Sequence, residues 1–247
     1  MDRALLLDLN ASLLTKQRRF SQALSHLRRS VAIFLELGER HRAGRALVNM
    51  STVHAVAGEP ERAIFLLYQA LRLIDPVREP RLLLIAWSNL IDDLAESGQF
   101  MEAQKLLTKA RPLYKKFQQP WFQNTRRWIE GKIALGLGQT GQAETLFLAV
   151  RDSFVLADAA YDTALVSLEL ASIYAEQGRM TELKRLAEEI LPIFSSRQIH
   201  REALAALDYW RQAVATERAG VTLVARVVAA FLRKARHNPE LRFQRPE

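Results

Sequence analysis

Cysteine is absent from all 247 residues. That excludes disulfides, thiolate zinc sites, iron–sulfur clusters and a cysteine nucleophile together. Glycine (10) and proline (8) are sparse, too few for a turn-rich β protein and suited to long helices. Long hydrophobic runs are missing as well. No apolar stretch is longer than Val227–Leu232, far short of the roughly 20 residues that cross a bilayer. The N-terminus lacks the layout of a secretory signal, because Asp2 and Asp8 bracket only a short leucine run. These absences predict an all-helical, cytoplasmic protein. Hydrophobic residues make up 49% of the chain, enough for a substantial buried core.

The formal net charge is +8, but it is not spread evenly. Residues 1–50 carry 9 basic and 4 acidic side chains, residues 197–247 carry 10 and 5, and the 146 between them carry 16 and 18. Basic ends flank a nearly neutral body. Such ends admit a nucleic-acid-associated regulator as one reading and a solvated arginine-rich surface as another. Aromatic residues do not interleave with the arginines as they do in a groove for single strands.

Internal repetition organises the rest. Gly58, Gly98, Gly138 and Gly178 stand 40 residues apart, and the flanking segments AVAGEPERAIFLL, AESGQFMEAQKLL, GLGQTGQAETLFL and AEQGRMTELKRLA agree. Ala63, Ala103, Ala143 and Leu183 follow at one fixed offset. The same step backward reaches Arg18 and Ala23, and forward it reaches Arg218 and Leu223. Each unit has helical spacing of apolar residues on both sides of a glycine turn, so each predicts two helices. The expected pairs are 2–16 with 20–37, 41–57 with 60–74, 79–97 with 99–117, 120–137 with 140–156, 158–177 with 180–194, and 198–217 with 220–236. Residues 1–236 are expected to form one helical-repeat domain, and 237–247 an irregular tail.

Trp87, Leu90, Leu94, Gly98, Ala103, Leu107 and Ala110 resemble the tetratricopeptide repeat, and Met50, Ser51, His54, Gly58, Ala63, Leu67 and Ala70 follow the same pattern. The usual repeat is about 34 residues. At 40 the chain is similar to the longer-repeat members found in bacterial regulators. The resemblance implies a right-handed α-solenoid of six antiparallel pairs, with a concave groove lined by the first helix of each pair. It also implies a non-catalytic module that binds a protein or peptide, as scaffold or sensor in a regulatory or signalling system.

The groove candidates are Arg45, Asn49, Thr52, Asn89, Asp92, Lys132, Glu169, Ser172, Asp208 and Gln212, with Asp8, Ser12, Glu96 and Glu176 on the same faces. Asn49 and Asn89 are one repeat apart, and an asparagine amide can hold both the N–H and the C=O of an extended peptide. Relatives that clamp a C-terminal carboxylate do so with cations on successive first helices. Here Asp8, Ser12, Asn49, Ile85 and Asn89 stand at those positions and only Asn49 matches, so a ligand of mixed charge fits better.

No catalytic constellation emerges. His26, His41, His54, His200 and His237 are scattered without a helical metal spacing, and Asp92–Asp93 has no partners to complete a shell. No enzyme activity, metal or cofactor is expected. Trp121 and Phe122 open the fourth pair and are candidate interface anchors. Both terminal helices are unusually apolar for capping repeats, so either the ends pair in an oligomer or the chain is a fragment whose neighbours cover them. Val224, Val227, Val228 and Phe231 near one end, and the helix Arg3–Thr15 at the other, are candidate surfaces for a homodimer, or for a purely structural oligomerisation module. A competing expectation is that Leu241 and Phe243 of the tail cover the last helix.

Overall fold

A computed structural model describes residues 1–195, 201–216, 220–235 and 241–244. Among the sequence features above, His200, Arg218, His237 and most of the tail lie outside the described residues. The described chain is all-α, with no strand. Its helices are α1 (Asp2–Lys16), α2 (Phe20–Glu36), α3 (Arg40–Ala57), α4 (Pro60–Leu71), α5 (Pro80–Glu96) and α6 (Phe100–Lys116). Then come α7 (Pro120–Gly136), α8 (Thr140–Leu156), α9 (Ala160–Glu176), α10 (Met180–Ser195), α11 (Arg201–Ala215) and α12 (Val221–Ala235). They form the antiparallel helix pairs of a tetratricopeptide-like solenoid.

Helix starts and stops follow from local chemistry. Pro60, Pro80 and Pro120 sit in the first turns of α4, α5 and α7, where a missing N–H costs nothing. At the turn glycines the backbone is left-handed, with φ of 85°, 76°, 76° and 68° at Gly58, Gly98, Gly138 and Gly178. After α5 the Gln99 N–H bonds the Leu94 carbonyl at 2.8 Å and the Gly98 N–H bonds Ala95 at 3.0 Å, the paired bonds of a Schellman cap. Arg18 (φ 56°) holds the same conformation in the first pair without glycine. Five residues beyond each of these turns, Ala23, Ala63, Ala103, Ala143 and Leu183 are fully buried. The turn fixes the exit direction of the chain, and the buried residue lets the second helix lie close against the first.

Two expected boundaries differ. Helix α4 stops at Leu71 rather than Ile74, because Leu73 and Ile74 close over Gly44. A Cβ on Gly44 would lie 3.0 Å from Ile74 Cγ1 and 3.2 Å from the Ile74 nitrogen. Asp75 then accepts the N–H groups of Val77 and Arg78 at 2.8 and 3.1 Å, which fixes the loop. In the last pair the constant step of 40 fails. Among the described residues of this junction the left-handed one is Gly220 (φ 86°), two positions later than the step through Arg218 predicts. The buried residue five positions on is therefore Ala225, while Leu223 is 65% exposed.

The chain divides into two compact units, Met1–Gln139 and Thr140–Glu247. In the first, each helix from α1 to α6 packs on its successor, and the first helices α1, α3, α5 and α7 also touch in order. Its core runs through Leu27, Leu67, Leu84, Leu90, Ile91 and Leu94, with Tyr114 bonding Ser88 at 2.7 Å. In the second unit α8 packs on α9, and α9, α10, α11 and α12 then close a ring, because α12 returns to α9. A repeat that simply continued would leave α9 and α12 apart. Accordingly α9 is buried around most of its circumference.

Candidate binding surface

In the first unit the groove-side positions of α1, α3, α5 and α7 are tied to one another by polar bonds one repeat long. The Asn49 amide donates to both carboxylate oxygens of Asp8, at 3.0 and 3.1 Å. Lys132 Nζ donates to Asp92 at 2.7 Å and Glu96 at 2.6 Å, and lies 5.3 Å from the Trp128 ring centroid. Arg45 bonds Glu79, which also accepts from His41 Nε2 at 2.8 Å. The Asp75 N–H donates to His41 Nδ1 at 3.2 Å, and this sets the tautomer that puts the proton on Nε2. Partial burial works to raise the Glu79 pKa, but the bonds from His41 and Arg45 outweigh it and hold the carboxyl below its usual range.

These contacts sort the expected ligand groups. Asn49 is committed to Asp8. Asn89, its counterpart one repeat later, is half-exposed, and its amide bonds no described residue. Thr52 is exposed, with its hydroxyl on the Val48 carbonyl. Asp92, Asp93 and Glu96 place three carboxyls around one lysine. Burial, with Asp92 and Glu96 close by and Lys132 opposing them, pushes the Asp93 carboxyl up to about 8. Sequence reasoning noted Asp93 only as half of an acidic pair. Its unusual state depends first on burial, which spacing alone does not disclose.

The second unit departs from the expected open groove. Glu169 meets Arg233 of α12 at 3.3 Å, and Glu176 meets Arg226 at 3.8 Å. Glu169 and Glu176 are two repeats on from Asn89 and Glu96, so α12 lies along the α9 face that an open groove would leave for ligand. Ser172 turns its hydroxyl to the Leu168 carbonyl. Asp208 accepts from Arg211 at 2.8 Å and from Gln212 at 2.6 Å. Several C-terminal arginines are thus engaged by carboxylates within the unit.

The candidate interface residues also separate. Trp121 is 58% exposed, whereas Phe122 is buried at 2%, wedged beside Phe117 and Trp121 with the Arg81 guanidinium 5.6 Å from its ring centroid. Phe122 is therefore a packing residue rather than an exposed anchor. Val224 and Val228 are buried by the ring of helices, and Val227 and Phe231 are half-buried. Phe243 packs on Phe231 and Tyr209, with centroids 5.0 and 5.8 Å apart. The tail residue covers the last helix, and those four residues do not make an open apolar face. Among the described residues no group of three or more His, Asp or Glu side chains is placed to hold a metal ion. No described helix is long and apolar enough to cross a membrane.

Residues 2–75 match the family model of the tetratricopeptide repeat. No curated protein matches the sequence. Among solved structures, the chain is similar to a Rap protein complexed with competence and sporulation factor, with a TM-score of 0.73 at 12% identity. The match covers 93% of this chain and 65% of that one. This chain thus spans less than two thirds of that protein's length. The repeat match, the constant step of the turn glycines and the structural likeness agree that this chain has a tetratricopeptide-type helical-repeat fold.

Proposed function

We propose that the chain is a non-catalytic, cytoplasmic peptide- or protein-binding module of a bacterial regulatory system. Its binding surface is the face formed by the first helices of residues 1–139. The observation that carries this reading is the half-exposed Asn89 amide, one repeat on from Asn49 and on the same helix as Asp92 and Glu96, which bonds no described residue. An amide so placed can accept from and donate to the backbone of an extended segment, and the neighbouring charges of both signs suit a ligand of mixed charge. The solved relative named above is complexed with competence and sporulation factor, which supports a bound factor here by analogy of fold. Thr52 and Arg45 flank the same face, and Lys132 sets its far edge.

Panning a random peptide library against the purified protein tests the reading. Enriched peptides should lose about tenfold or more in affinity for Asn89→Ala, the cost of about one good polar contact. They should also weaken for Lys132→Ala. Peptides that bind both variants as tightly as the parent would overturn the assignment of this face.

A further inference from the structure

Helix α1 turns its small apolar side chains inward and most of its large ones outward. It buries Ala4, Leu7 and Ala11 against its own unit and leaves larger side chains outside. Met1 is 56% exposed, Leu5 45%, Leu6 60%, Leu9 61% and Leu13 53%. Leu5, Leu9 and Leu13 are spaced by four, and Leu6 and Leu13 by seven, so they form one stripe along the helix. One repeat later the positions of Leu6 and Leu13 are Ala46 and Val53, both buried in a helix that packs on the preceding α2. Leu6 and Leu13 therefore stand where a neighbouring helix packs in the next pair, while Leu5 and Leu9 stand where Arg45 and Asn49 face the groove.

Charge decides what that neighbour is. Asp2 and Lys16 are both exposed and lie at opposite ends of the leucine stripe, on the same side of the helix. We propose that α1 pairs with α1 of a second copy of this chain, antiparallel, about a two-fold axis at Leu9. In that register Leu9 meets its own copy, Leu5 meets Leu13 of the second chain, and Asp2 meets Lys16 of the second chain at each end. A parallel pair would instead set Asp2 against Asp2 and Lys16 against Lys16. Five apolar side chains from each copy, with the edges that flank them, bury on the order of 1,000 Å², where specific interfaces begin. The contact is isologous, so it closes at two copies and does not propagate.

Light scattering or sedimentation equilibrium over a concentration series tests this. The mass should rise toward twice the 28.1 kDa of one chain. Leu9→Asp places like charges on the axis and should give a monomer with unchanged helicity, unfolding at the temperature of the parent diluted to its monomer rather than lower, since Leu9 is exposed within one chain. Asp2→Lys alone and Lys16→Asp alone should each weaken association at least severalfold, and the double variant Asp2→Lys with Lys16→Asp should restore it. That restoration is specific to antiparallel pairing of like helices. A monomer at every soluble concentration, a Leu9→Asp variant that still dimerises, or a double charge swap that fails to restore the dimer would overturn the proposal.

Discussion

Asp93 is the side chain whose charge state most depends on the fold. Burial raises its pKa first, then Asp92, with Glu96 adding to the effect and Lys132 opposing it, so that the carboxyl moves from 3.8 to about 8. The folded state therefore holds a proton that the unfolded chain releases near pH 4. The stability contributed by this proton is complete below about pH 4 and is lost as pH rises through about 8. Chemical denaturation of the parent should show stability declining across that window relative to Asp93→Asn, which stays neutral throughout. Parallel curves for the two proteins would sink this account. None of it was legible in the sequence, where Asp92–Asp93 is only an adjacent pair. The Lys132 that completes the cluster arrives from 40 residues away in the next first helix. Asn89 was legible as a repeat position, but that its amide bonds no described residue was not, because Asn49 shares that position and is held by Asp8.

At the scale of the element, one rule governs the helix pairs: a left-handed residue, then a fully buried residue five positions on. Glycine is favoured at the first because a Cβ clashes with the carbonyl there. The second is usually alanine because two helix axes come close. The spacing of Gly58, Gly98, Gly138 and Gly178 made this plain from the sequence, and it located nearly every helix end. It failed in the last pair because a rigid step of 40 lands on Leu223 for the buried residue, whereas the left-handed Gly220 and the buried Ala225 both stand two positions on. The consequence is specific. Leu223→Asp, at an exposed position, should change unfolding free energy by no more than about 0.5 kcal/mol. Ala225→Asp buries a carboxyl where no space exists and should cost about 3 kcal/mol or more. Equal effects in a denaturant titration would restore the constant step and remove the two-residue shift.

The two units are built on different plans. Contacts in residues 1–139 run between neighbours along the chain, so that unit resembles a one-dimensional stack. From α9 to α12 the ring closes through a contact between helices far apart in sequence, and Arg233 meets Glu169 across 64 residues. Loss of α12 should therefore be felt by α9 directly. A chain ending at Gly220 should lose amide protection throughout α9–α11 in hydrogen exchange, while α2–α6 retain theirs. Uniform protection of α9 in that truncated chain would show that the ring is ornamental. The helical-repeat class was legible in the sequence because it is written in local periodicity. The ring was not, since the apolar stripe of α12 is the same whether it meets α9, a second copy or the tail.

That ring also limits how such a chain can change length. Arrays of this kind grow and shrink by duplication or loss of whole repeats, which is harmless wherever a new pair meets the same neighbours as the old one. Duplicating residues 40–79 would insert a helix pair between α2 and α5, with each new junction a copy of an existing type. Duplicating residues 160–199 would drive a pair into the ring, part Glu169 from Arg233, and leave α12 with no single α9 to close upon. Length variants that keep the C-terminal four helices intact should fold, and all the freedom to vary should lie ahead of Ala160.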